Sequence, residues 1–556
     1  MLTQSAEALL SKTISRGGLV VSLAVFTLLT NDPVNLPKLV LLAPIAGLSL
    51  GIWSYQLKHL FSNYRTQIIL HTLFILALVI NLFITTNPSD TTFFGTFGRN
   101  TGILTYFSLT VLAFGSSLLT HRYYYEKLIK ALLLAGLINL IYCLFVAITG
   151  KDFLPWTNPT ASILGTFGNT NFISAFFGIV FSVSLAIAAS KEIHRKTRTI
   201  LFISLPIYIY LIFYSKSIQG LMLVFLGTAT VLFFFISKRF NKSIRNSYSA
   251  ISLTSLLFLV LGILQIGPLS SLIYKPTVSI RGEYWAAGWK MFQSSPFYGL
   301  GLDSYANYYR EFRRSSALVL PGVDTVTDAA HNVYIDLLYG GGLILFLPYL
   351  ALLIVALRQS YEYWKNSKNY DYVFSALFVG FITYQAQALI SINQIGLAVW
   401  GWILLGALIG YTRVKAPKVE NVAEANYSTE RLKSRITAGN LLTMLTTLAV
   451  AIASVVPVFI TDNSWKNAIK NGTAKEIVDA SNSWPTHVQR YALTAQIFNQ
   501  VKLKEEVLMI TRAGIKYDPR SFNLWEIIYN FSQNSAEKAK AKSELAKLDP
   551  LNPKYK

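Results

Sequence analysis

Apolar runs of about 17 to 25 residues, the length a bilayer-spanning helix needs, recur along the chain between short polar breaks. They lie near Leu19 to Thr30, Leu39 to Tyr55, Gln67 to Thr85, Gly102 to Leu119, Leu128 to Thr149, Phe172 to Ala189, Ile200 to Phe213, Gly220 to Ile236 and Ala250 to Gly267. Further runs follow near Val333 to Leu357, Val373 to Ile392, Ile395 to Tyr411 and Leu441 to Ile460. The pattern predicts an all-α, polytopic membrane protein with about 13 transmembrane helices over residues 1–461.

One segment breaks the pattern. Residues 268–332 are polar, aromatic and cationic, and a loop of that length dense in Trp, Tyr and Gly is expected to carry function. Within Glu283 to Gln293, the residues Trp285, Gly288, Trp289 and Phe292 recur at helical spacing. This predicts a short helix lying in the membrane interface, with Arg281 at its N-terminal entrance near headgroup depth.

Composition agrees: 53% of residues are hydrophobic and 14% charged. The net charge of +22 raises nucleic acid as a partner, but no nucleic-acid motif accompanies it and cytoplasmic loops rich in Lys and Arg explain much of it. With the N-terminus inside, the inner segments hold Lys12 and Arg16, Lys58 and Arg65, Arg122 to Lys130, Lys191 to Arg198, Lys238 to Arg245, Arg358 to Lys368 and Arg413 to Arg435. The short outer loops hold only Lys38, Arg99, Lys151 and Lys216, which places 268–332 and the C-terminal region outside the cytoplasm. Cys143 lies within a span, so no disulfide is expected outside, and Met1 to Arg16 has no pattern of a cleavable signal.

Beyond the last span, residues 462–556 turn polar and helix-favouring. Pro485, Pro519 and Pro550 follow Trp484, Asp518 and Asp549 at spacings of 34 and 31, and the first of these is the period of a tetratricopeptide repeat. The turns KYDPRSFNLW and KLDPLNPKY resemble the junctions of that family, which implies a helical-repeat domain and a possible protein partner docking on it. An unspecialised helical bundle is the other reading of the same segment.

No P-loop, dinucleotide fingerprint, or Cys or His metal cluster is present, so neither a cofactor nor a metal is expected. Chemistry outside the cytoplasm then needs a donor activated in the membrane, such as a lipid-linked diphosphate, and fixed positive charge to stabilise its departure. Arg281 has the planar fork that meets phosphate oxygens in pairs, although an interfacial anchor touching lipid phosphate would look the same. His331 opens the helix that re-enters the membrane, and a neutral imidazole there is suited to accept a proton from an attacking hydroxyl; a structural hydrogen bonder is the alternative.

Arg281-x-x-x-Trp285, Pro296-x-x-Gly299-x-Gly301, His331-Asn332-x-Tyr334 and a Gly-rich turn at Gly340 to Gly342 together resemble the signature of the O-antigen ligase and polymerase superfamily. Gly95-Thr-Phe-Gly-Arg99-Asn-Thr-Gly102 and Gly165-Thr-Phe-Gly-Asn169-Thr-Asn171 are similar to earlier family segments. The resemblance implies a fold like that of the GT-C membrane glycosyltransferases. It also implies a metal-independent, inverting transfer of a glycan from undecaprenyl diphosphate to a hydroxyl on a glycolipid, glycan or protein, at the outer face of a bacterial cytoplasmic membrane. Arg281 matches the arginine assigned to the diphosphate and His331 the histidine assigned to the acceptor. Where relatives place a second arginine, this chain reads Tyr214-Ser-Lys216-Ser-Ile-Gln-Gly220, which leaves Lys216 as the nearest cation.

Further candidates for contact with donor or glycan are Arg99, Arg310, Tyr284, Trp285, Asn332 and Asn169. Each has a plainer reading: a solvated or lipid-facing charge for Arg310 and its neighbours Arg313 and Arg314, interfacial anchoring for the aromatics, helix capping for Asn169 and Asn171. Asp336, one turn beyond Asn332, is placed to tune the site's charge but not to pair with His331. Ligase, repeat-unit polymerase and protein oligosaccharyltransferase share this chemistry and differ in acceptor. A transporter of lipid-linked sugars is disfavoured, because ionisable residues gather at the outer ends of the spans and not at mid-membrane.

Overall fold

The computed structural model describes residues 2–55, 57–85, 87–156, 158, 162–273, 276–414 and 437–555. Among these residues all regular structure is helical. The helices run α1 (Gln4–Leu23), α2 (Asn35–Ser54), α3 (Leu57–Ile84), α4 (Ser89–Phe94), α5 (Ile103–Ser117), α6 (Arg122–Thr149), α7 (Thr170–Ala188), α8 (Arg195–Tyr214), α9 (Ile218–Arg239) and α10 (Lys242–Ile263). Then come α11 (Ser270–Ile273), α12 (Pro276–Ser294), α13 (Tyr305–Phe312), α14 (Val333–Asn366), α15 (Tyr372–Ala388), α16 (Ile395–Tyr411) and α17 (Ala438–Asn471). Five shorter helices close the chain: α18 (Ala474–Asn482), α19 (Val488–Gln500), α20 (Lys504–Tyr517), α21 (Phe522–Phe531) and α22 (Ser535–Leu548).

Among the described residues nine helices are long and apolar enough to cross a membrane: α2, α3, α6 to α10, α14 and α17. The runs expected from Leu39 onward all fall on helices, but α5, α15 and α16 are shorter than the nine. Every residue of α16 is buried, which makes it the central post of the body, with α1, α5, α14 and α15 around it. At the periphery, α10 keeps an apolar, unburied surface of the kind lipid covers. The inner cations expected between Arg413 and Arg435 lie, Arg413 apart, outside the described residues.

Two expectations at the start of the chain are corrected. The first apolar run does not form a helix from Leu19 to Thr30; α1 begins at Gln4 and stops at Leu23, and an irregular segment with Asn31, Asp32 and Pro33 follows. There the Asp32 carboxylate accepts from the backbone N–H groups of Val34, Asn35 and Leu36, capping α2. Lys38 is not in an outer loop. It is fully buried in α2, where its ammonium donates to the Ala24 and Thr166 carbonyls at 2.6 and 2.8 Å.

The expected turn at Gly340 to Gly342 is a break inside α14, and it receives the Pro296–Gly301 segment. Leu300 and Gly301 donate to the Tyr339 and Gly340 carbonyls (2.7 and 3.0 Å), and Leu343 and Ile344 donate back to Pro296 and Phe297 (2.8 and 3.2 Å). Only glycine fits: Gly299 has φ +73° and a Cβ there would lie 2.5 Å from the Gly340 backbone, while Gly342 has φ +62°. Asn81 of α3 completes the joint, donating to Gly340 and Tyr298 carbonyls and accepting from Leu302 N–H.

Past the membrane body, α17 runs on through Asp462 to Asn471, and α18 to α22 pack each on the next. Two small apolar cores hold them, one around Tyr491, Phe498, Ile510 and Leu524, the other around Trp525, Ile528, Leu545 and Tyr555.

Candidate active site

The long loop folds against one end of the body. Arg281 does not sit at a helix entrance, because α12 begins at Pro276 and carries Arg281 in its second turn. The buried face of α12 is Tyr284, Ala287, Gly288 and Met291, so the expected aromatic stripe is split: Trp289 is exposed and Trp285 is half-buried, with its indole N–H enclosed and without a protein acceptor among the described residues.

His331 stands between the loop and α14. Its backbone is left-handed (φ +55°), and Asn332 caps α14 by accepting from Tyr334 and Ile335 N–H at 3.0 and 3.2 Å. The turn is closed by Asp336, whose carboxylate accepts from Ala330 N–H at 2.9 Å. His331 Nδ1 lies 3.3 Å from the Ala329 carbonyl, which can only accept; Nδ1 therefore carries the proton and Nε2 keeps a free lone pair. The ring packs on Tyr284, with centroids 5.4 Å apart.

Burial lowers the His331 pKa, and the Arg281 and Arg99 guanidinium groups lower it further against the Ala329 hydrogen bond and the Asp328 carboxylate, which raise it. The imidazole is thus neutral at neutral pH. Arg281 is half-buried and makes no ion pair or hydrogen bond among the described residues, and desolvation pulls its pKa below the usual arginine value without discharging it.

Arg99 is differently placed. It meets Asp328 with both ends of its fork, Nε at 2.8 Å and Nη2 at 2.7 Å. Burial opposes charge on both groups, but the pairing outweighs it, raising the arginine pKa and holding the Asp328 carboxyl below its ordinary range. The Gly95–Gly102 loop is in turn fixed by Asp303. Its carboxylate accepts from Thr96 N–H (2.9 Å), Thr101 N–H (3.1 Å) and the Thr101 hydroxyl (2.7 Å). Burial raises the Asp303 pKa, and these three hydrogen bonds hold it back.

Asp328 and Asp303 were not singled out by sequence. The only signal for them is that both are carboxylates in a loop otherwise selected for cations and aromatics; their partners are more than 200 positions away.

The remaining candidates fall into two other places. Lys216 is exposed at a left-handed turn (φ +59°) beside the start of α7, since Ser217 Oγ donates to Asn171 Oδ1 at 2.7 Å and Ser162 Oγ to the Tyr214 carbonyl at 2.9 Å. Asn169 is the cap of α7, accepting from Asn171 N–H. Among the described residues, the hydrogen bond and ring contact of His331 are to Ala329 and Tyr284, not to this group. Arg310 is not a solvated or lipid-facing charge: it is 7% exposed and bound to Asp549 with its neighbour Arg313.

The structure therefore brings together Arg281, His331, Tyr284, Arg99 and Asn332, while Lys216 and Asn169 share the turn beside α7 and Arg310 is paired with Asp549. No curated protein matches the chain. Residues 199–350, the stretch that carries Lys216, Arg281 and His331, match the family model described as O-antigen ligase. The chain is thus a multi-pass helical membrane protein similar over that stretch to the O-antigen ligase family, a similarity that points to glycosyl transfer of the O-antigen ligase or polymerase type.

Proposed function

We propose that the chain transfers a glycan from undecaprenyl diphosphate to an acceptor hydroxyl, without a metal and with inversion, at the outer face of a cytoplasmic membrane that it crosses about 13 times. The observation that carries this reading is the pairing of a half-buried Arg281, which has no ion pair among the described residues, with a neutral His331 whose Nε2 carries the lone pair. A cation without a carboxylate partner is poised for an external anion, and a diphosphate matches the fork of a guanidinium.

In the proposed step, His331 Nε2 takes the hydroxyl proton as the acceptor oxygen bonds to the anomeric carbon. The bond from that carbon to the diphosphate oxygen breaks, and its electron pair leaves with undecaprenyl diphosphate, whose charge Arg281 holds. Attack from the opposite face inverts the anomeric centre. The imidazolium formed is supported by the Asp328 carboxylate, which already favours the protonated ring. The enclosed Trp285 N–H adds a neutral donor for a phosphate or sugar oxygen.

Reconstitution of the full chain with an undecaprenyl-diphosphate-linked oligosaccharide tests this directly. Mass analysis should find the oligosaccharide on lipid, protein or a second glycan, and the acceptor that gains it separates ligase, protein glycosylation and polymerase. No transfer to any of them would sink the proposal.

A further inference from the structure

The three turns that the proline spacing marks in the C-terminal region all face the same way, toward the loops that build the candidate site. At the first, Trp484 Nε1 and Thr486 N–H donate to the two carboxylate oxygens of Asp90 in α4 at 3.0 and 3.1 Å, and His487 stacks on Phe97 at 4.6 Å. Phe97 lies in the loop that carries Arg99. At the second, Asp518 accepts from Asn307 of α13 at 2.8 Å, and Arg520 pairs with Glu311 and covers the Tyr308 ring at 4.0 Å. At the third, Asp549 receives Arg310 Nη1 at 3.1 Å and Arg313 Nη2 at 2.8 Å.

This last contact is sealed: Asp549 and the Arg313 side chain are 0% exposed, and both arginines also donate to the Val323 carbonyl. From α13 a packed path leads inward. The Tyr305 hydroxyl donates to the Tyr284 carbonyl at 2.6 Å, Tyr309 meets the Tyr284 ring edge-on at 5.6 Å, and Tyr284 lies on His331. The faces that tetratricopeptide junctions would offer an outside partner are here occupied by the chain's own loops.

We infer that the C-terminal helical unit is a positioning module for the transfer site: its turns at Pro485, Pro519 and Pro550 grip α4 and α13 and hold the Arg99 loop and the Tyr284–His331 stack in register, with Asp549 as the central latch. The inference rests on the proposed transfer reaction for its activity arm. Asp549 touches no reacting group, so it acts only through placement, and a displacement of about 1 Å at a reacting pair lowers a rate by roughly a hundredfold.

The test uses the full chain in phospholipid nanodiscs with an undecaprenyl-diphosphate-linked oligosaccharide as donor. Asp549→Asn should lower kcat at least tenfold per folded molecule, Asp549→Glu should recover part of it, and amide exchange should quicken in 95–102 and 305–312 but not in α16. If Asp549→Asn does not fold, the combination with Arg310→Gln and Arg313→Gln, which leaves all three positions uncharged, takes its place with the same readouts. A folded variant with wild-type kcat and unchanged exchange in both loops overturns the inference. If the wild type itself transfers nothing, the reaction proposal falls, while unchanged exchange in the Asp549 variant still counts against the latch.

Discussion

Replacing Asp303 by alanine should release the loop that holds Arg99. In the structure one carboxylate satisfies two backbone N–H groups and one hydroxyl at 2.7 to 3.1 Å, binding Gly95–Gly102 to the loop before α13. A donor left without its partner costs about 1–3 kcal/mol, so three cost roughly 3–9 kcal/mol. Asp303 is not wholly sealed from solvent, and water recovers part of this, which puts the expected loss near 4 kcal/mol, toward the low end of that range. A drop of about 4 kcal/mol in the opening free energy speeds local opening roughly a thousandfold. Amide exchange over 95–102, followed by mass spectrometry, should quicken by that order in Asp303→Ala. Asp303→Asn should stay within about tenfold, because its single amide oxygen replaces Oδ2 for both N–H groups and the Thr101 hydroxyl turns to accept. Unchanged protection in Asp303→Ala refutes the reasoning.

Other outcomes follow from the same geometry. Arg281→Lys should cut transfer at least tenfold despite keeping the charge, since an ammonium cannot meet two phosphate oxygens in one plane; wild-type rates return Arg281 to an interfacial anchor. The acid limb of kcat/KM should lie below about 6.5, because His331 must be neutral to act and its pKa is lowered. Arg281 disfavours the imidazolium, so Arg281→Gln should move the His331 titration, followed by nitrogen NMR, to higher pH; a shift to lower pH contradicts the electrostatic picture. Gly299→Ala should abolish transfer with the protein still inserted, as its Cβ collides with the Gly340 backbone; normal activity means the docking of Pro296–Gly301 into α14 is dispensable.

What was legible in the sequence is what a local pattern encodes. The apolar runs gave the helices because bilayer length and backbone satisfaction leave little choice, and Arg281, His331 and Tyr284 stood out as polar residues where lipid-facing ones were the rule. The break in α14 was visible as glycines, but its partner was not, since the joint is made of backbone hydrogen bonds that no side-chain pattern announces. Arg99 was read without Asp328, and Arg310 without its link to Asp549, because pairing across more than 200 positions has no local signature. The start of α1 was misplaced because its buried face mixes Leu10 and Ile14 with Glu7 and Ser11, and Glu7 finds its partners, Thr120 and His121, on a distant turn.

The central claim is that Arg281 and His331 together perform the transfer. It is tested most directly by single-turnover transfer from an undecaprenyl-diphosphate-linked oligosaccharide, with equal amounts of folded wild type and His331→Ala, in buffer containing a metal chelator. The account predicts full transfer by the wild type and none above background by the variant. Equal transfer by both, or a wild type that works only when metal is restored, contradicts it.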